Sequence, residues 1–308
     1  MLSGARRIVV TVGGNALVRV GEEGRFEQQF KRAQELAALL SKIPSDIQLI
    51  LTHGNGPQVG RILLRSELCS EDVPTVPVNQ AVAATQGQMG MVLQQTLVNQ
   101  THRPTVTVLT QVIVDESDSD FLKPTKPIGR YYSEEDAQQR TKDFGWVVRQ
   151  YGSRGWRRVV ASPQPLKIVE YKAIEQLLDG GFTVVACGGG GVPTVIRDGH
   201  LLPVEAVVDK DRSTALLAHQ VGADILFSLT GVDEVQLDFD TPQARTLRDV
   251  SRQEMREYLE AGQFPPGSMG PKVRSALQFL KEGGSEVVIT SPELLGEALE
   301  GKRGTRIR

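Results

Sequence analysis

Lysines and aspartates set beside runs of glycine are the residues here whose types and spacing could do chemistry. Residues 184–193 read VVACGGGGVP, a hairpin-like stretch follows, and residues 205–215 read EAVVDKDRSTA. The apolar run Thr183 to Val185 empties into four glycines, Gly188 to Gly191. That is how a buried strand delivers backbone N–H groups to an anion. Asp209-Lys210-Asp211 closes a second apolar run (Val204, Ala206, Val207, Val208) and opens a helix predicted over Arg212 to Val221. Two strand ends would then bring a glycine-rich turn, a lysine and two carboxylates together. Such a set suits a nucleotide phosphate and its metal ion.

The theme recurs along the chain. A strand over Ile8 to Val12 precedes Gly13-Gly14-Asn15, which is either a tight turn or a close backbone approach to a ligand. A strand over Ile47 to Thr52 leads into His53-Gly54-Asn55-Gly56-Pro57-Gln58 and a helix. Pro57 suits a first helical turn, and the positive end of that helix favours an anion. His53 is a candidate base, although a loop-capping histidine is the plainer reading. A strand over Asp224 to Leu229 ends in Thr230-Gly231-Val232-Asp233. QFPPGSMGPK puts Ser268 at a possible cap and Lys272 in the first turn of a helix, where a cation is locally unfavourable and hints at an anionic partner. Lys126 lies in PTKPIG between stiffening prolines. It is either a solvated lysine or an ammonium held at a fixed height.

The elements that must position these groups alternate strand, loop and helix. Phe26, Phe30, Ala33, Ala37 and Leu40 recur at helical spacing and should face the core. Asn79 to Gln100 reads as a helix in which Gly87 suggests a close contact, and Thr105 to Val114 reads as one long buried strand. Residues 115–165 differ in texture, rich in charge, Pro, Gly and aromatics, and suggest an inserted antiparallel subdomain, a lid. Arg154, Arg157 and Arg158 around Trp156 form either an anion patch or a solvated turn. Ser251 and Glu254 have capping-box spacing.

The chain of 308 residues carries a net charge of -2, which argues against a non-specific nucleic-acid or anionic-membrane binder. Two cysteines, Cys69 and Cys187, imply no disulfide framework, and four histidines show no metal-ligand spacing. No apolar run reaches the roughly 18 residues of a spanning helix, and Met1 to Ala5 run straight into a strand-like segment, so the expected compartment is the cytoplasm. An open, mainly parallel sheet covered by helices follows, with ligands beyond the carboxyl ends of its strands. Neither Gly-x-Gly-x-x-Gly, Gly-Lys-Ser/Thr nor Gly-x-Ser-x-Gly occurs. What remains, glycine cradles, loop lysines and aspartates, is the inventory of phosphoryl transfer.

Gly13 to Leu17, Thr52 to Gly60, Pro124 to Gly129, Cys187 to Pro193, Asp209 to Asp211 and Gly267 to Lys272 together resemble the carbamate kinases of the amino-acid-kinase fold family. The resemblance covers nearly the whole chain. It implies a three-layer αβα sandwich around the sheet, with an inserted lid at about 115–165. It implies an N-terminal lobe (1–222) for carbamate and a C-terminal lobe (223–308) for nucleotide, and a homodimer. The implied reaction is ATP plus carbamate to ADP plus carbamoyl phosphate, with magnesium held by phosphates and water rather than directly by side chains. The usual direction would be ATP synthesis in arginine or related nitrogen catabolism. Carried over, Gly13, Gly14, Asn15, Gly54, Asn55 and Gly56 would hold carbamate and the transferred group. Lys126, Lys210, Asp211 and Lys272 would be catalytic. Gly189, Gly190, Thr230, Gly231, Val232, Asp233, Gly267, Ser268 and Met269 would hold nucleotide. Thr11 stands where much of the wider fold family has lysine, a charge vacancy that Lys126 could fill. The alternatives are another small-carboxylate kinase of this fold, such as an acetylglutamate kinase, and a non-catalytic nucleotide- or oxyanion-binding protein.

Overall fold

A segment such as IVVTV offers water no polar face, so it settles mid-sheet with both faces covered. The computed structural model describes residues 4–13, 17–18, 21–265 and 267–308. Gly14 and Asn15 lie outside the described residues. The strands in chain order are β1 (Arg7–Val12), β2 (Gln48–His53), β3 (Thr105–Thr107), β4 (Gln111–Val114), β5 (Lys126–Tyr132) and β6 (Val147–Gln150). Then come β7 (Trp156–Val160), β8 (Pro165–Ile168), β9 (Thr183–Val185), β10 (Val192–Arg197), β11 (His200–Pro203) and β12 (Ile225–Leu229). The last are β13 (Val235–Leu237), β14 (Arg245–Leu247), β15 (Asp249–Val250), β16 (Glu286–Thr290) and β17 (Thr305–Ile307). The helices are α1 (Phe26–Leu40), α2 (Gly56–Leu68), α3 (Val78–Thr101), α4 (Glu134–Phe144) and α5 (Tyr171–Asp179). They continue with α6 (Lys210–Gln220), α7 (Arg252–Glu260), α8 (Met269–Lys281) and α9 (Leu295–Leu299).

Among the described residues the main sheet has eight strands in the order β15-β17-β16-β12-β1-β2-β9-β3. Every pairing in it is parallel except β16 with β17. β1 lies at its centre, Ile8 opposite both Leu49 and Ile225. Side chains alternate across a strand, so each strand feeds two cores. Val9, Ile50, Val184 and Leu226 pack with Ile174, Leu217 and Phe279 of α5, α6 and α8. Ile8, Val10, Leu51 and Phe227 pack with Leu36, Leu93 and Leu295 of α1, α3 and α9. That is a helix–sheet–helix sandwich.

A second, mixed sheet has the order β11-β10-β4-β8, and a third, antiparallel sheet the order β5-β7-β6. The third sheet and α4 occupy the chain between β4 and β8 and rest on α2. A Cβ on Gly60 of α2 would lie 3.6 Å from the Gly129 Cα, ordinary packing distance, so the helix and β5 sit in close contact there. Glu67, buried at the end of α2, accepts from the Tyr132 hydroxyl (2.7 Å) and from Arg140 Nε (2.7 Å). The arginines around Trp156 are engaged by neighbouring rings and by a carboxylate beyond this unit. Arg154 and Arg157 lie over the Tyr131 ring, and Arg158 lies over Trp146 and donates to Glu205 at 2.8 Å.

Several local expectations give way. Thr105 to Val114 is two strands in two sheets, because the Gln86 side chain accepts from Thr110 N and donates to Thr110 O where the chain crosses over. Val204 to Val208 forms no strand and makes only an isolated bridge, Ala161 to Ala206, before α6. Phe26 is 51% exposed and packs on Phe30 at the start of α1 rather than in the core. The close approach on α3 is at Gly90, whose Cβ would meet Thr107 at 2.2 Å, while Gly87 faces open space. The Ser251–Glu254 capping box forms at α7, a device worth about 1 kcal/mol. Among the described residues no helix is long and apolar enough to cross a membrane.

Candidate active site

Because β12, β1, β2 and β9 run parallel, their carboxyl ends share one edge. Gly13, Gly54, the Gly188–Gly191 turn and Thr230 therefore gather there. One helix opening onto this edge is α6. Its cap is Asp209, whose Oδ1 accepts from Asp211 N at 3.0 Å and Arg212 N at 3.4 Å. Asp209 Oδ2 accepts from Lys126 Nζ at 2.8 Å, which ties the first residue of β5 to the mouth of α6. Burial works to raise the Asp209 carboxyl, but Lys126 and Lys210 hold it below the usual carboxylate range.

Asp211 bridges two lysines. Its Oδ1 accepts from Lys210 Nζ at 2.6 Å and its Oδ2 from Lys272 Nζ at 2.9 Å. Desolvation alone would raise this buried carboxyl; the two ammoniums outweigh it and hold it well below the carboxylate range. Burial, reinforced by the charge of Lys272, lowers Lys210 from the ordinary lysine value, and Asp211 opposes the shift. Lys272 sits in the first turn of α8, against that helix's dipole, and Asp211 offsets the mismatch. Lys210 also donates to Thr11 Oγ1 at 3.0 Å. The ammonium at Thr11 is thus that of Lys210, while Lys126 is engaged 2.8 Å from Asp209.

Two cavities meet at Lys272. The larger, about 670 Å³, is lined by Gly13, Gly56, Lys210, Thr230, Gly231, Asp233 and Lys272 among others. The smaller, about 230 Å³, is lined by Thr230, Gly231, Val232, Phe239, Phe264, Ser268, Met269 and Lys272 among others. Thr230, Gly231 and Lys272 belong to both. The smaller has apolar walls and a phenylalanine, Phe239, 55% exposed, as a flat ring-sized ligand requires. Phe239 and Phe264 were not among the candidates; their only local signal is an aromatic next to a polar, turn-forming stretch.

Gly54, Asn55, Gly189, Gly190 and Gly267 line neither of these two cavities. Asn55 is buried, and its Nδ2 donates to Thr85 Oγ1 at 2.8 Å. Gly54 N donates to Val12 O at 3.0 Å. Gly189 and Gly190 are buried against Asn55 and Val208, and Ser213 Oγ donates to Gly190 O at 2.7 Å. Gly267 is an exposed turn residue before α8, whose cap position Ser268 makes no side-chain cap bond. His53 is buried, its Nδ1 3.1 Å from Gly54 O. Burial pushes its pKa down to about 4 against the opposing Gly54 hydrogen bond, with a smaller push from the Lys210 charge, so the ring is neutral at physiological pH. Cys187 is buried too, and desolvation pushes its thiol up. Among the described residues no group of three or more His, Cys, Asp or Glu is placed to hold a metal ion.

This geometry has relatives. Residues 6–291 match the amino acid kinase family. The carbamate kinase of Pyrococcus furiosus is 41% identical over 98% of this chain and 99% of its own. The carbamate kinase-like protein YahI of Escherichia coli is 45% identical over 97% of this chain and 98% of its own. The structure of the carbamate kinase from Giardia lamblia bound to AMP-PNP superposes with a TM-score of 0.93 at 37% identity, covering 99% of both chains. The lysine–aspartate–lysine bridge, the paired cavities and the parallel sheet thus stand on a known scaffold: the chain belongs to the amino acid kinase family, in the branch of the carbamate kinases.

Proposed function

We propose that this ATP-dependent phosphotransferase interconverts ATP and carbamate with ADP and carbamoyl phosphate, running toward ATP synthesis in arginine or related nitrogen catabolism. The observation that carries the reading is the Lys210–Asp211–Lys272 bridge at the junction of the two cavities. In the forward direction an anionic carbamate oxygen attacks the terminal phosphorus, a P–O bond forms, and the bond to the ADP oxygen breaks. The nucleophile is already charged, so no strong base is required, and the neutral, buried His53 has no proton to take. The chain's task is to bring anions together and neutralise charge on the group in flight. Val232, Phe239, Phe264 and Met269 would wall the base, and Lys272 and Lys210 would meet the phosphates. Gly13 and Gly56 would approach carbamate in the larger cavity, with Gly54 and Asn55 supporting them from behind. Magnesium would enter with the nucleotide as its chelate.

The lobes read as 1–222 and 223–308, so the Lys272–Asp211 pair would tie one to the other. The β5-β7-β6 unit reads as a lid that brings Lys126 to the transferred group. We also read the enzyme as a homodimer, supported by Met91 (46% exposed), Val98 (39%) and Leu109 (51%) on and beside one face of α3. Sedimentation velocity at micromolar concentration checks it; a monomer sinks the idea.

The function is tested by ATP formation from carbamoyl phosphate and MgADP, with other small acyl phosphates in parallel. Lys272→Ala should lose about 10²–10³ in turnover, the cost of one preorganised donor. Lys126→Ala should lose more in turnover than in nucleotide affinity. No ATP from folded, ADP-binding protein would reject carbamate as the acceptor.

A further inference from the structure

Three buried threonines form a line behind the Lys210 ammonium. Thr11 on β1, Thr52 on β2 and Thr214 on α6 are each no more than 2% exposed. Thr52 Oγ1 and Thr214 Oγ1 are 2.8 Å apart, and Thr214 Oγ1 donates to Thr11 Oγ1 at a longer 3.5 Å. Thr11 Oγ1 also accepts from Lys210 Nζ at 3.0 Å. Adjacent strands hold this line in register, Thr11 opposite Thr52.

A lysine ammonium has three donors and no acceptor. In Lys210 one donor goes to Asp211 Oδ1 and one to Thr11 Oγ1. Lys210 lines the larger cavity, so the remaining donor is the one left for a ligand oxygen. Two fixed partners determine where a tetrahedral nitrogen points its third bond. Asp211 alone leaves the ammonium free to rotate about one contact, and the other carboxylate oxygen already belongs to Lys272. We propose that Thr11, oriented by the Thr214 and Thr52 hydroxyls, is a positioning residue that aims Lys210 at the phosphoryl oxygens. The proposal rests on the phosphotransfer reading of the cavity.

A hydroxyl oxygen that accepts from an ammonium favours the charged form. Removing it must lower the Lys210 pKa, because the neutral amine loses less than the cation. The charged and titratable groups that bear on Lys210 are Asp209 and Asp211 of α6, Lys272 of α8 and His53 at the end of β2, and none changes in the variants below.

The test compares Thr11→Val, which keeps the branched shape of a strand residue, with Thr11→Ser, which keeps the hydroxyl. Lys210 is titrated by competitive acetylation with acetic anhydride across pH, read by mass spectrometry. ATP formation is followed over the same range. Thr11→Val should lower the Lys210 pKa by about one to two units and turnover about 10- to 100-fold, the range of a hydrogen bond to a charged group. The alkaline limb of its profile should move to lower pH, and Thr11→Ser should restore both. In a Lys210→Ala background Thr11→Val should add nothing. Thr11→Ala replaces the valine variant if that one does not fold. An unchanged Lys210 pKa, or a loss of thermal stability alone, overturns the proposal. A wild type that forms no ATP while the labelling shift still appears keeps the Lys210–Thr11 coupling and rejects the phosphotransfer reading instead.

Discussion

Asp211→Asn is expected to lower ATP formation by about 10³ or more, since each lysine it holds is a preorganised donor worth about 10²–10³. The exchange keeps volume but breaks both contacts differently. The amide oxygen can still accept from one lysine, whereas its NH₂ faces the other ammonium, donor against donor. Lys210 and Lys272 then lie close together with one negative charge fewer between them. Asp211 opposes the fall in the Lys210 pKa, so removing its charge lowers that pKa further and drains the charged form. Uncovering buried charge also costs about 3–5 kcal/mol of stability. Turnover and urea unfolding are measured together, and a variant with near-normal turnover would end the bridging role.

Gly190→Ala should be the most damaging substitution for folding in the glycine run. Gly190 has φ +95°, and an added Cβ would lie 2.2 Å from the Val208 carbonyl oxygen. The obstacle is backbone, so no rotamer relieves it. Strain at such φ costs about 1–3 kcal/mol and overpacking a similar amount, for an expected loss of about 3–5 kcal/mol. The displaced segment runs straight into Asp209, the cap of α6, so Lys210 and Asp211 would move with it. Gly231→Ala is the contrast: nothing lies within 4 Å of its Cβ, so stability should hold. Thermal melts decide, and equal midpoints for Gly190→Ala and wild type would contradict the packing argument.

The sheet was legible because its strands are short apolar runs ended by glycines, and parallel strands have no polar face to hide the signal. Ile225–Leu229 falls where its pattern puts it. Thr105 to Val114 misled because a nearly continuous run of β-branched and apolar residues carries no mark of the Gln86 side chain that divides it between two sheets. Val204 to Val208 misled for the same reason, being apolar and buried in part without a partner strand. At the candidate site, the clustering of lysines and aspartates was readable from their loops. Their pairing was not. Whether Lys126 or Lys210 stands at Thr11 depends on where β5 lands relative to α6, a tertiary distance with no local trace. The buried threonines were invisible too, since threonine in a strand is ordinary.

The central strand has a consequence for how the chain is made. β1 is synthesised long before β12, one of its two neighbours, so Ile8 must wait for Ile225. Until then a largely apolar strand carries an open hydrogen-bonding edge, the kind of template that pairs with the wrong chain. Pairings of such long sequence separation fold slowly, because loop-closure entropy precedes any contact. The nascent protein is thus exposed to misassembly until β12 emerges, which makes shielding of β1 a condition for yield rather than for activity.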